Sequence, residues 1–307
     1  MKKQVKTQMN FAVAIKKFFT KGNSGQKIIF TIVFVLFCIY AITLIFPLIM
    51  LFALSLENPI TYEIKLGFGQ QFSLPDNVSF DNYVYAFSKL EYRGTSLIGL
   101  IFNSIWYTGI SVIEPLFFNA CVAYALSKYK FKLRNIYYNL YIFMMIIPIM
   151  GTEGARMNLY ANFGLYNTGP LLKIVGGIGA GGMTLLVLMA YFRNISWEYS
   201  EAAFLDGAGH FTVFFKIMLP MCLPVAGAMA LLNGMTAWNA YEDTLLYNPD
   251  WSGLSAGLYG LSRTLPRLGN TPAYYAALII ALIPILIVFS LFSDRIMANF
   301  SVGGLKG

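Results

Sequence analysis

The spacing of charged residues is the dominant pattern along this chain. Uncharged runs cover residues 28–56, 135–152, 174–192, 217–241 and 268–293, and a further run, 97–127, is broken only by Glu114. A helix needs about 20 apolar residues to cross the hydrocarbon core of a bilayer, and each run is near or above that length. No two-residue alternation runs through them, which argues against a barrel. A helix satisfies its backbone hydrogen bonds internally, so such runs read as helices in lipid. The pattern predicts an all-α polytopic membrane protein with about six transmembrane helices. Its parts are a basic N-terminal segment, 1–27, a six-helix domain, 28–293, and a tail, 294–307. No internal repeat or soluble domain is visible.

Composition agrees: 57% of residues are apolar and only 12% charged, where a soluble domain has about 25% charged. The net charge of +8 is no nucleic-acid signal, because its distribution follows the spans. With six spans and an inner N-terminus, cytoplasmic segments hold 15 Lys and Arg and external ones 7. That asymmetry predicts both termini in the cytoplasm. Phe11, Ile15 and Phe18 beside Lys16, Lys17 and Lys21 suit a segment lying on the inner membrane face. The first apolar run far exceeds the roughly 7–15 residues of a signal-peptide core, so no cleaved leader is expected. Cys38, Cys121 and Cys222 fall within or at the end of spans. They read as packing residues, with no disulfide framework and no metal site.

The stretch 193–216 is the most polar between predicted spans four and five. Within the loop 194–220, Ser196 is placed to cap a short helix with Glu198 near its positive end. Glu201 to Leu205 continue that helix, whose Ala202-Ala203 pair leaves a low profile for a partner. Gly207 permits a sharp turn, and a second short helix from about His210 runs toward Pro220. His210, the single histidine, reads as a surface or packing residue.

The same residues match a signature. Glu201-Ala202-Ala203, three residues, Gly207, nine residues, Ile217, one residue and Leu219-Pro220 resemble, at every fixed position, the EAA loop of bacterial ABC-importer permeases. Weaker segments resemble the carbohydrate-uptake branch, the smaller maltose-type permease included. They are Phe163-Gly164-Leu165-Tyr166-Asn167-Thr168, Trp238-Asn239, Asn103-Ser104 and the tail Gly303-Gly304-Leu305-Lys306-Gly307. The resemblance covers about residues 28–307. Ser196, where many relatives have Pro, and the intramembrane Glu114 depart from it. It implies a type I importer fold with a cytoplasmic coupling helix in a bacterial inner (plasma) membrane. It also implies a second homologous permease, two ATPase subunits that bind ATP and Mg, an extracytoplasmic solute-binding protein and a carbohydrate cargo. The implied ATPase-coupling residues are Glu201, Ala202, Ala203, Asp206, Gly207, Ile217, Leu219 and Pro220. Gly303, Gly304 and Lys306 would reach toward the ATPases. The chain has no Gly-x4-Gly-Lys-Ser/Thr loop to cradle phosphates, so no cofactor is expected on this subunit and it is not expected to be an enzyme.

Polar groups within spans usually face a cavity or a partner. Asn233, Trp238, Asn239, Glu242 and Asp243, read as the outer half of span five, are candidates for the translocation path. Structural hydrogen bonds are the competing reading. Glu114 is a further candidate, against pairing within the bundle. Three rival functions remain: a permease for a non-sugar solute, an ion-coupled transporter and a membrane enzyme. The maltose-like segments, the complete loop signature and the lack of clustered His, Cys or carboxylates count against them in turn.

Overall fold

The computed structural model describes residues 24–70, 72–147, 151–177, 179 and 181–300. The basic N-terminal stretch before residue 24 and the tail residues Gly303, Gly304 and Lys306 lie outside the described residues.

The chain forms α1 (Ser24–Ser55), α2 (Pro59–Gly67), α3 (Asp81–Ser88), a minimal hairpin of β1 (Glu91–Tyr92) and β2 (Thr95–Ser96), and α4 (Leu97–Lys128). Next come α5 (Arg134–Ile146), α6 (Glu153–Asn162), α7 (Pro170–Gly177), α8 (Gly182–Asn194) and α9 (Glu198–Leu205). A continuous α10 (His210–Asn239), α11 (Glu242–Tyr247), α12 (Leu254–Thr264) and α13 (Thr271–Phe300) complete it. The hairpin is antiparallel, pairing Glu91 with Ser96 and Tyr92 with Thr95. Apart from it the regular secondary structure among the described residues is helical, as the uncharged runs predict.

Among the described residues, four helices are long and apolar enough to cross a membrane: α1, α4, α10 and α13. The run at 174–192, expected as one span, is instead the pair α7 and α8, bent by 53°. Gly182 sits at φ +70°, where a side chain is disfavoured, so the glycines break the helix. The pair counts as a fifth span if taken together. In the run at 135–152, α5 has 13 residues, about 20 Å at 1.5 Å per residue and so shorter than the hydrocarbon core.

Two apolar cores flank the long α4. One gathers its C-terminal half, through Ala120, Ala123 and Tyr124, with Leu185, Leu188 and Phe192 of α8 and Val213, Met218 and Cys222 of α10. The other gathers its N-terminal end, Leu97 and Leu100, with Leu254, Leu258 and Leu261 of α12 and Ala277 and Ile280 of α13. In contrast, α1 is exposed from Ile28 to Ile49, with apolar residues on every face, as for a helix whose solvent is lipid. Cys222 is a packing residue as expected, whereas Cys38 faces outward on α1.

Candidate functional site

The loop carrying the signature is a closed helix–turn–helix. Ser196 Oγ accepts the Glu198 N–H at 3.3 Å, so the entry to α9 is capped without proline. At the other end the Gly207 N–H donates to Phe204 O at 3.0 Å and the Ala208 N–H to Ala203 O at 2.9 Å. These two bonds define a Schellman closure, which needs a left-handed residue between them. Gly207 supplies it at φ +81°, with nothing within 4 Å of where a Cβ would stand.

The signature residues divide by exposure. Glu201, Ala202, Asp206 and Gly207 are exposed, and Leu205 beside them is 90% exposed. Ala203 is buried. The expected low Ala-Ala surface is therefore Ala202 alone, because a helix standing on a core must turn every third or fourth residue inward. The separate second short helix is also corrected: α10 runs unbroken from His210 to Asn239. Its passage through Pro220 is eased by a π-turn, Phe214–Met218, in which the Leu219 N–H reaches back to Phe214 O. The wider turn accommodates a proline that lacks an N–H and crowds the preceding carbonyls. Ile217 and Leu219 pack at the edge of the core shared by α4, α8 and α10, and Pro220 is exposed.

An aromatic seat that sequence reasoning missed holds this loop. Tyr129, at the end of α4, shares a 2.9 Å hydrogen bond with His210 Nδ1. Its ring meets Tyr124, Trp197 and His210 edge-on at 5.5, 6.0 and 5.6 Å. His210 in turn packs on Phe204 of α9 at 4.8 Å, and Lys128 Nζ donates to Ile195 O. His210 thus has a packing role, as expected, and ties both arms of the loop to α4. The available sequence signal was a dense run of aromatics on both sides of the loop.

The path candidates do not form one constellation. Asn233 Nδ2 donates to Thr184 Oγ1 at 3.0 Å, joining α10 to α8. Asn239 bonds its own helix at Met235 O. Glu242 is exposed and, with Asp243, stands on the separate α11, because α10 ends at Asn239. Trp238 lines a groove of about 690 Å³ with Thr108, Val112, Leu231, Pro284 and Val288, an almost wholly apolar wall. Glu114 points both carboxylate oxygens into the protein, and neither has a hydrogen-bond partner among the described residues. The charge of Lys173 on α7 acts on it from across the bundle. Glu114 Oε2 lies 2.7 Å from where a Cβ on Gly177 would stand, so a side chain at the end of α7 would have to push the carboxylate aside.

A polar cluster absent from the sequence reading lies between α4, α6, α7 and α11. Tyr107 donates to Asp243 Oδ2 at 3.1 Å and receives Lys173 Nζ at 3.3 Å. Arg156 lies 3.7 Å from Asp243 Oδ1 and over the Tyr247 ring. Nearby, the segments that carried the weaker resemblance meet. Asn167, at φ +59°, donates to Asp250 Oδ2 at 2.5 Å. Asn248 exchanges two bonds with the Gly169 backbone. Asn103 donates to Ser252 O, and Ser104 Oγ accepts the Leu254 N–H. These short motifs form one lock between α4 and two connecting loops.

Comparison with known proteins agrees with this geometry. The profile of the binding-protein-dependent transport system inner membrane component matches residues 118–301. A diacetylchitobiose uptake system permease protein of Streptomyces coelicolor is 30% identical over 239 residues, covering 76% of this chain and 77% of that protein. An arabinooligosaccharides transport system permease protein of Halalkalibacterium halodurans is 30% identical over 235 residues, 76% of this chain and 81% of that protein. A crystal structure of a bacterial ABC transporter importing the acidic polysaccharide alginate matches at TM-score 0.72 and 23% identity, covering 89% of this chain and 98% of that one. That likeness carries the fold of a type I importer permease. The chain therefore belongs to the family of binding-protein-dependent transport system inner membrane components: it is a multi-pass bacterial inner-membrane permease, a transport subunit of an ABC importer that works with a separate ATPase, and not an enzyme.

Proposed function

We propose that this permease forms half of the transmembrane path for a carbohydrate, an oligosaccharide in particular, and couples its passage to ATP hydrolysis. The observation that carries the coupling role is the closed α9 turn, whose exposed rim presents Glu201, Ala202, Leu205 and Asp206. Glu201, Ala202, Asp206 and Gly207 form the surface seated in an ATPase groove, while Ala203, Ile217, Leu219 and Pro220 fix its angle. ATP and Mg reside on two ATPase subunits, and a second, non-identical permease and an extracytoplasmic binding protein complete the assembly. The maltose-like segments support that pairing. Relatives named for diacetylchitobiose uptake and arabinooligosaccharide transport support the oligosaccharide cargo.

In this reading α5 and the segment after it supply the third of six spans, the bent pair the fourth, and both termini are cytoplasmic. Trp238 and Glu114 contribute to the path, and Asn233, Asn239 and Glu242 border it. Gly303, Gly304 and Lys306 extend toward the ATPases. The test is uptake of labelled oligosaccharides into proteoliposomes holding the whole transporter. Uptake should require ATP, and Glu201→Lys should abolish it and release the ATPase subunits while the permease still inserts. Uptake driven by an ion gradient without ATP would overturn the importer reading. Full uptake and full ATPase retention in Glu201→Lys would overturn the coupling role.

A further inference from the structure

The helix α2 (Pro59–Gly67) is amphipathic in the reverse sense to a water-exposed helix. Its charged residues turn toward the protein. Lys65 Nζ donates to Glu57 Oε2 at 2.6 Å and to Leu74 O at 3.0 Å, and pairs with Asp76 at 3.1 Å. Glu63 Oε1 accepts from Thr271 Oγ1 at 3.4 Å, and Tyr62 OH shares a 3.1 Å bond with Tyr275 OH. The outward face is apolar. Ile60 is 73% exposed, Ile64 56% and, just past the helix, Phe68 77%. Four-residue spacing stacks the three side chains in one stripe along a helix about 14 Å long.

A stripe of this kind is costly in water, at about 25 cal/mol per Å² of apolar surface. Its position says what covers it. Pro59 follows the end of α1 at Ser55 by one turn, and α1 is the span whose residues 28–49 are exposed, as lipid contact requires. On its inner side α2 rests on the first residues of α13, another span, through Thr271 and Tyr275. The helix therefore sits at the ends of two spans, level with the edge of the hydrocarbon. We propose that α2 is a membrane-interfacial helix: Ile60, Ile64 and Phe68 seat in the leaflet at the boundary between headgroups and acyl chains. The inward pairs of Lys65 keep charge out of that layer. Apolar face down and polar groups up is the signature of helices lying in a membrane plane.

The test is spin-label accessibility in the complete transporter, reconstituted in nanodiscs after Cys38, Cys121 and Cys222 are changed to Ser. Labels at Ile64→Cys and Phe68→Cys should collide with oxygen several-fold more often than with a water-soluble nickel chelate. A label at Asp76→Cys, whose side chain is exposed, should show the opposite ratio. Low collision with both reagents at 64 and 68 would mean a second protein covers the stripe, and nickel in excess would mean water does; either result overturns the proposal. The unmutated transporter offers a second measurement. Lipids carrying a photoreactive group at the first acyl carbons should label residues 59–68, and no adduct there, with adducts present on α1, would also overturn it.

Discussion

The closure at Gly207 makes a graded prediction. At φ +81° the space around a new Cβ is empty, so substitution costs backbone strain alone. A β-branched residue held there costs about 1–3 kcal/mol. The turn can escape that strain only by opening, which forfeits the Gly207 and Ala208 N–H bonds at 3.0 and 2.9 Å, each worth about 0.5–1.5 kcal/mol net. Both routes shift the population of the closed turn by about 5–150-fold. Asn tolerates the left-handed region better than other side chains. Coupling, read as solute taken up per ATP hydrolysed in proteoliposomes, should therefore fall in the order Gly207, Gly207→Asn, Gly207→Ala, Gly207→Val, with insertion unchanged. A bulk effect would rank Asn with Val, since the two are of similar size. Equal coupling in Asn and Val variants, or full coupling in Val, would refute the reasoning.

Further outcomes follow from other contacts. Tyr129→Phe deletes the 2.9 Å bond to His210, about 0.5–1.5 kcal/mol, and should lower uptake per ATP while His210→Gln, able to keep the bond, retains most of it; identical losses in both would exclude the bond as the cause. Gly177→Ala places a Cβ 2.7 Å from Glu114 Oε2 and should cost about 1–3 kcal/mol as overpacking, seen as a lower Tm in detergent. In a Glu114→Ala background that loss should shrink, and simple additivity would contradict the contact. At Lys65 burial lowers the pKa, but hydrogen bonds to Glu57 and Asp76, and then their charges, outweigh it and raise the net value above 10.5. A raised pKa means the ammonium contributes stability fully below the ordinary lysine value and loses it as pH rises through the folded one. Proteolysis of the loop 57–96 should accelerate only in that alkaline window, and Lys65→Met should remove the pH dependence.

The four long helices were legible because lipid demands uninterrupted apolar length, which a list of charges displays directly. The α9 turn was legible for a different reason: Gly207 fixes a backbone region that few residues enter. The bend between α7 and α8 was misread because Gly176 to Gly182 are as uncharged as any span, and hydropathy does not register backbone freedom. The start of α10 was misplaced because Lys216 and Pro220 look like a boundary, whereas the π-turn carries the helix through both. Asp243 was singled out, but its partners Tyr107, Arg156 and Lys173 escaped notice because they come from separate segments that only the packing of α4 against its neighbours brings together.

That α4 belongs to both cores has a mechanical consequence. Its 32 residues make a rod about 48 Å long at 1.5 Å per residue. One end is clamped to the α9 turn by Tyr129, and the other to the loop lock by Asn103 and Ser104. In the proposed transporter such a helix acts as a lever: a tilt of about 5° at Tyr129 displaces Asn103, about 39 Å away at 1.5 Å per residue, by about 3 Å. The small strokes of a nucleotide-driven motor would thus reach the opposite face as displacements of atomic size, delivered to the Asn103–Ser104 anchor and through it to the loops that close that end of the path.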